Sequence, residues 1–427
     1  MLSRAGLLVM TTVDTVMTGW AGAEQLAFLA IGLAPFVLLM LIGTGALTGT
    51  VVLVAQAQGA GEEGTIGRIW HQALFLAAVL GLAAAALLSF TEGFLLLAGQ
   101  TPSIADGGAR VAFLLGLGMP AMLGYVATTL FLEGLGRPRP GVVVILLGNL
   151  ANLPLNHLLI GGGLGLAPMG AAGAVLATTV VRWAMLAAIV GYVLASPALR
   201  HHGTRARFRP SRATLTKLLR LGVPFAVSQG LETSAFQGLT LLCGWLGATA
   251  LATYQIALNV TALVFMVTVG LATATAIRVG RAIGAGDPDL AVAAAWLGLA
   301  VTLAVMLTLA PILAVKAPAV AWLYTADPAV IELIVPCLWL VAVVIVLDGA
   351  QGVLTGGLRG AADVWRPMLI HVASFWLVLL PAGYLLAFPG GLGVRGLLGG
   401  IMAGLAVAAV LLLHRLRTLP RQHMARV

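Results

Sequence analysis

TTVDTVMTGWAGAEQLAFLAIGLAPFVLLMLIGTGALTGTVVLVAQAQGAG, residues 11–61, decides the fold because the chain contains its pattern twice. An offset of 225 residues sets Gly19, Trp20, Gly22 and Ala23 on Gly244, Trp245, Gly247 and Ala248. The register continues without a gap through Leu26 on Leu251, Ile31 on Ile256, Gly45 on Gly270, Thr48 and Thr50 on Thr273 and Thr275. It ends with Gly59-Ala60-Gly61 on Gly284-Ala285-Gly286. A period this long means two copies of one large unit, not a solenoid of small ones. The copies place their charges differently. Asp14 falls opposite Leu239, and Glu232 falls opposite Leu7.

The 427 residues are 60% hydrophobic and 9% charged, against about 25% charged for an ordinary soluble domain. A soluble globule is thereby excluded. Apolar runs of roughly 20 residues, the length that crosses a bilayer as a helix, recur along the chain with Gly and Pro inside them. The stretches of alternating polarity that a transmembrane barrel needs are not visible. Twelve spans are expected near residues 1–19, 27–57, 68–98, 107–133, 139–161, 171–195, 216–245, 250–283, 289–315, 328–355, 366–388 and 395–416. Six spans per half make the repeats parallel, with a cleft between them near the midplane.

The net charge of +9 would suit nucleic acid, but its placement speaks for membrane topology. Arg68, Arg137, Arg139, Arg278, Arg281, Arg359, Arg366, Arg415, Arg417, Arg421 and Arg426 follow even-numbered spans, as does the basic segment SPALRHHGTRARFRPSR. By the positive-inside rule both termini face the cytoplasm. The domains read as an N-terminal lobe 1–195, a basic linker 196–213, a C-terminal lobe 214–416 and a tail 417–427. The linker serves as tether and topology signal, with docking on anionic headgroups the lesser reading. Cys243 and Cys337 stand alone in apolar runs and read as buried free thiols. The first residues imitate a signal peptide, but the repeat sets them against an internal helix. The same alignment puts Pro224 just ahead of Met1. The first half thus lacks a counterpart to residues 215–224, which reads as a late start codon or a truncated chain.

Ionisable groups at membrane depth cost roughly 2.5 to 3.5 kcal/mol on insertion scales, so each is a candidate site. Asp14, Glu232 and Asp348 lie deepest; Glu133 falls at a helix end; Arg182 lies inside span six, either paired with an acid or facing a cavity. In span five, Asn149, Asn152 and Asn156 share one helical face, and Pro154 frees a carbonyl nearby. Carboxylate and amide oxygens suit Na⁺ or a proton-exchanging acid; the equal alternative is polar glue between helices. If Glu232 and Asp348 approach each other, their mutual repulsion suits proton uptake and release; otherwise they are two separate carboxylates. No metal-ligand spacing, phosphate loop or nucleophile elbow is present, and His201-His202 has no partner at ligand spacing. No enzyme and no cofactor is expected. A membrane-embedded transferase or protease would need a catalytic constellation that the sequence does not offer.

The motifs VDTVMTGWAG (13–22), AQAQGAG (55–61), FLEGLGRPRPG (131–141), NLPLN (152–156), GATALATYQIALN (247–259), AIRVGRAIGAGD (276–287) and GGLRGAADVWRPM (356–368), in this order, resemble the multidrug and toxic compound extrusion (MATE) transporters over essentially the whole chain. The C-terminal acids resemble the NorM-type branch. The resemblance implies an all-α protein of twelve membrane helices in two six-helix lobes forming a V. It implies export of amphipathic, often cationic compounds in exchange for Na⁺ or H⁺, by a monomer in the bacterial inner membrane. It implies that Asp14, Asn152, Asn156, Ala174 and Thr178 bind the coupling cation, Ala174 through its carbonyl. Na⁺ would lie among Asp14, Asn152, Asn156 and Thr178. Glu232 and Asp348 would take a second ion or the drug cation. Val344 stands where the NorM pattern has Tyr, which speaks against Na⁺ in the C-terminal lobe. The alternative within this architecture, a flippase for lipid-linked saccharides, would want a cationic cleft, whereas the deep charges here are mainly acidic.

Overall fold

The computed structural model describes residues 2–97, 99–163, 165, 167–325 and 327–419; Arg421 and Arg426 of the basic tail lie outside them. The described chain is helical almost throughout: α1 Leu2–Trp20, α2 Ala23–Leu47, α3 Gly49–Gly59, α4 Glu63–Leu88, α5 Thr91–Leu97, α6 Pro102–Gly134, α7 Arg139–Gly161 and α8 Gly170–Ala195. A 3₁₀ turn, Pro197–His202, leads to α9 Arg212–Gly244, α10 Ala248–Gly284, α11 Pro288–Val315, α12 Ala317–Tyr324, α13 Pro328–Gly360, α14 Trp365–Val372, the π-helical Ala373–Leu379, α15 Leu380–Ala387 and α16 Val394–Thr418. Among the described residues, ten helical stretches are long and apolar enough to cross a membrane. Leu82, Leu87, Leu263, Leu307 and Val410 face outward, which suits an all-α protein solvated by lipid, where backbone polar groups must be satisfied within each helix.

By contact the chain forms two units, Met1–Ala226 and Val227–Val427. The division falls inside α9, close to where the second copy of the repeat begins. In unit 1, α6 is the central helix, packed by α2, α4 and α8; in unit 2, α13 holds that place among α10, α11 and α16. An offset of 225 residues carries α6 onto α13 to within one residue, so the repeated sequence builds the same hub twice. The repeated glycines have a backbone reason. Gly22 and Gly247 open α2 and α10 at φ 122° and 99°, and Gly61 and Gly286 turn the chain at 70° and 76°, a region that side chains with a Cβ rarely enter.

The basic segment 196–213 is packed on unit 1. His71 Nε2 meets the Thr204 carbonyl at 3.1 Å, and the Gln72 amide donates to the Arg209 carbonyl at 2.7 Å while accepting from the Ser211 N–H at 3.2 Å. The front of α9 then lies against α2 and α3: a Cβ on Gly222 would collide with the Ala46 carbonyl, and one on Gly49 would stand 2.7 Å from the Leu218 carbonyl. In unit 2 the side chains of Asp287 and Asp327 cap α11 and α13 by accepting from Leu290 N–H and Ala329 N–H. A 2.6 Å ion pair between Asp363 and Arg415 ties the turn after α13 to the end of α16.

Candidate functional site

Asp14 on α1 is buried in unit 1, with Asn152 and Asn156 on α7 and Thr178 on α8 buried around it. Its Oδ1 accepts from Asn156 Nδ2 at 2.7 Å, and its Oδ2 accepts from the Thr178 hydroxyl at 2.5 Å. Asn152 closes the ring: its Nδ2 donates to Thr178 Oγ1 at 2.9 Å, and its Oδ1 accepts from Asn156 Nδ2 at 3.0 Å. The i, i+4 spacing of Asn152 and Asn156 puts both amides on one face of α7, and that face meets α1 and α8. Charge-assisted hydrogen bonds of this kind hold a carboxylate in one orientation. Asn156 Oδ1 is buried without a hydrogen-bond partner among the described residues, so one acceptor is left for a proton donor or a cation.

Two residues read with this group are placed elsewhere. Asn149 donates to the Gly6 carbonyl of α1 at 3.0 Å and to the Ile145 carbonyl at 2.9 Å, so it is interhelical glue, one turn away from the ring. Pro154 lies inside an unbroken α7 on its exposed side; the carbonyl that it deprives of a donor is that of Leu150, also exposed, and not part of the ring. Ala174 is buried one turn before Thr178 on α8, and its carbonyl lies in the hydrogen-bonded interior of that helix.

Arg182, one turn beyond Thr178, is buried with its guanidinium 4.8 Å from the centre of the Phe36 ring. Its charge acts on Asp14, while its Nε and Nη1 have no hydrogen-bond partner among the described residues. Of the two readings left open by the sequence, the interaction with Asp14 favours a cation that acts on an acid, with its guanidinium resting on the Phe36 ring.

In unit 2, Glu232 on α9 is half-buried and Asp348 on α13 is buried; they stand close enough for their charges to interact. Val344, one turn before Asp348, is buried in an apolar cluster with Val341 and Ile345. Three residues that sequence reasoning passed over complete this region: His371 on α14, buried, bridges Ser228 on α9 and Thr355 on α13. A lone histidine in span eleven was the available signal. The structure also gives the linker histidines a neighbour that spacing could not reveal. Ligand atoms of Glu63, His201 and His202 lie within 4.8 Å of one another, brought together because the linker folds back on the start of α4.

An all-helical membrane protein built on a duplicated helical unit, with a buried acid at the heart of one copy and an acid pair in the other, has the architecture of a secondary transporter. The family model described as MatE matches residues 1–158 and again 224–385. The chain is 36% identical over 419 residues to the probable multidrug resistance protein NorM of Caulobacter vibrioides, covering 98% of this chain and 89% of that one. It is 35% identical over 435 residues to the multidrug resistance protein PmpM of Pseudomonas aeruginosa, covering 99% and 91%. Among solved structures, a MATE transporter in a bent conformation superimposes with a TM-score of 0.90 at 21% identity over 99% of this chain and 94% of that one. The eukaryotic MATE transporter AtDTX14 gives 0.86 at 21% identity over 100% and 94%; these likenesses speak for the fold alone. The chain belongs to the MATE family, on its NorM-like branch, a family of membrane transporters and not of enzymes.

Proposed function

We infer that the protein exports amphipathic, often cationic compounds from a bacterial cell by alternating access, driven by the inward movement of H⁺ or Na⁺. Its place is the inner membrane, as a monomer with both termini in the cytoplasm. The observation that carries this reading is the ring around Asp14: a lone carboxylate, buried at membrane depth and oriented by two amides and a hydroxyl. Such a group is expensive to keep unless it binds and releases a positive charge. Its oxygens, with Asn152 Oδ1, Asn156 Oδ1 and Thr178 Oγ1, supply the hard donor set that Na⁺ would use, and the same carboxylate can take a proton. Glu232 and Asp348 offer a second ion site or a contact for a drug cation. Ion and drug then compete for carboxylates, and entry of one drives release of the other. The relatives named for multidrug resistance support this substrate class.

The test is efflux of a fluorescent lipophilic cation from vesicles holding the purified protein, with a Na⁺ gradient or a pH gradient imposed separately. Transport under either gradient, lost in Asp14→Asn protein of normal abundance, is the expected result. Intact export by Asp14→Asn would sink the assignment, and a dye that moves under neither gradient would favour the flippase reading.

A further inference from the structure

We propose that His371 is a positioning and proton-transfer residue that connects the Glu232–Asp348 pair to the basic end of unit 2; this rests on the ion-coupled reading above, with H⁺ as the ion.

The hydrogen bonds fix the state of the ring. We assign the tautomer from these contacts: with Thr355 Oγ1 donating to the Gln351 carbonyl at 2.9 Å, it accepts at its 3.2 Å contact with His371 Nε2. Nε2 therefore carries the proton, and Nδ1 is the acceptor for the Ser228 hydroxyl at 2.6 Å. A neutral imidazole held between two hydroxyls accepts on one side and donates on the other, the arrangement that a proton relay requires.

Its place between the acids and one end of the unit is set by helix geometry. Ser228 is one turn before Glu232 on α9, and Thr355 is two turns after Asp348 on α13. Both steps run toward the end where α13 finishes and α14 begins. Asp348 lies twelve residues, about 18 Å, from the end of α13, and His371 six residues, about 9 Å, from the start of α14. The basic side chains Arg278, Arg281, Arg359, Arg366, Arg415 and Arg417 all belong to that end of their helices, the cytoplasmic side under the positive-inside rule. The charged and titratable groups on the helices around the ring are Arg212, Lys217, Arg220, Glu232 and Cys243 on α9, Glu332, Cys337, Asp348 and Arg359 on α13, Arg366 on α14 itself, and Arg395, His414, Arg415 and Arg417 on α16. Directly after His371 the helix widens into the π-helical Ala373–Leu379, a form that recurs at functional positions.

The transfer balances. A proton from the acid pair reaches Ser228 Oγ as the proton of that hydroxyl passes to Nδ1. The imidazolium so formed turns on its side-chain torsions, gives that same Nδ1 proton to water on the basic side, and turns back with Nε2 still protonated, so the starting tautomer is restored. One proton enters, one leaves, and no electron moves.

The experiment uses full-length protein in vesicles and reads ethidium transport in two ways: uptake driven by a pH gradient, and ethidium–ethidium exchange without a gradient, which moves no net proton. His371→Gln keeps a donor and an acceptor for the two hydroxyls but cannot carry a proton through. It is expected to lower gradient-driven transport by roughly tenfold or more while exchange continues; Ser228→Ala, which leaves the imidazole in place, is expected to act in the same direction. Gradient-driven transport unchanged in His371→Gln would overturn the relay. An equal fall in both assays would overturn it too, since that is what a purely structural histidine predicts. Wild-type transport that answers to Na⁺ alone would leave export standing and remove this proposal, whereas no transport under either gradient would remove the export reading itself.

Discussion

At the scale of single residues, unit 1 holds its acid differently from unit 2. Asp14 is enclosed by donors from two helices, whereas Glu232 and Asp348 receive no side-chain hydrogen bond among the described residues, and the charge of Asp348 reaches Glu232. Thr178 is the joint of the first group, donating to Asp14 and accepting from Asn152. Thr178→Val keeps the volume and removes both interactions, leaving the Asn152 amide without its acceptor. It should cost about 1–3 kcal/mol, read as a lower melting temperature in detergent together with weakened gradient-driven export. His202 makes a prediction of the opposite kind, about pH. Burial, then the neighbouring His201 and, more weakly, Arg137 hold its ring below the ordinary histidine range, against an opposing effect of Glu63 that ranks between those of His201 and Arg137. The undocked ring binds a proton more readily than the docked one, so linker docking is complete above about pH 6.5 and weakens as pH falls below it. Amide exchange across residues 199–206, corrected for its intrinsic pH dependence, should accelerate at pH 5.5; exchange with no such change would show that His202 does not gate docking.

At the scale of helices, close approach is made by glycine. In unit 2, Gly356 of α13 packs on the Ala272 carbonyl of α10, and Gly360 lies against the Ala276 carbonyl one turn on. This small-residue contact is how membrane helices gain dispersion without a hydrophobic drive between them. Gly356→Ala must push α10 and α13 apart and should cost about 1–3 kcal/mol, whereas Gly191→Ala on α8, which meets nothing within 4 Å, should leave the melting temperature unchanged or slightly raised. Equal melting curves for the two variants would contradict the hub role of α13. The order of these helices was legible from apolar runs and repeated glycines, because span length and turn geometry are local properties. The partner of each polar side chain was less so. Asn149 shares a helical face with Asn152 and Asn156, yet α1 passes that face so that Gly6 meets the first and Asp14 the last.

At the scale of the whole molecule, the duplication makes two hubs from one pattern, and the charge bias of the loops sets a direction. If the basic ends face the cytoplasm, a membrane-impermeant maleimide applied to intact cells should label a cysteine at exposed Leu392 and spare one at Arg207 in the basic linker; the reverse pattern would invert the proposed topology. Cys243 and Cys337 are both buried and should stay unlabelled until the protein is denatured, so the assay can run in the native background.

Length, apolar content, the 225-residue repeat and the motif order determined the all-helical, duplicated membrane architecture and the family, because spanning a bilayer and turning at glycine are written in composition and spacing. They also marked Asp14, Glu232 and Asp348 as costly acids at membrane depth and Asn152 and Asn156 as amides on one helical face, while Thr178 came only from the family resemblance. Only the tertiary structure decided what each one meets: the closed ring of Asp14 with Asn152, Asn156 and Thr178, the nearness of Arg182, the separation of Asn149, and the bridge of His371 to Ser228 and Thr355. Those partners lie up to 164 residues apart in the chain, and hydrogen bonding is short-ranged and directional. No spacing rule reaches that far, so helix packing had to bring the groups together before their chemistry could be read.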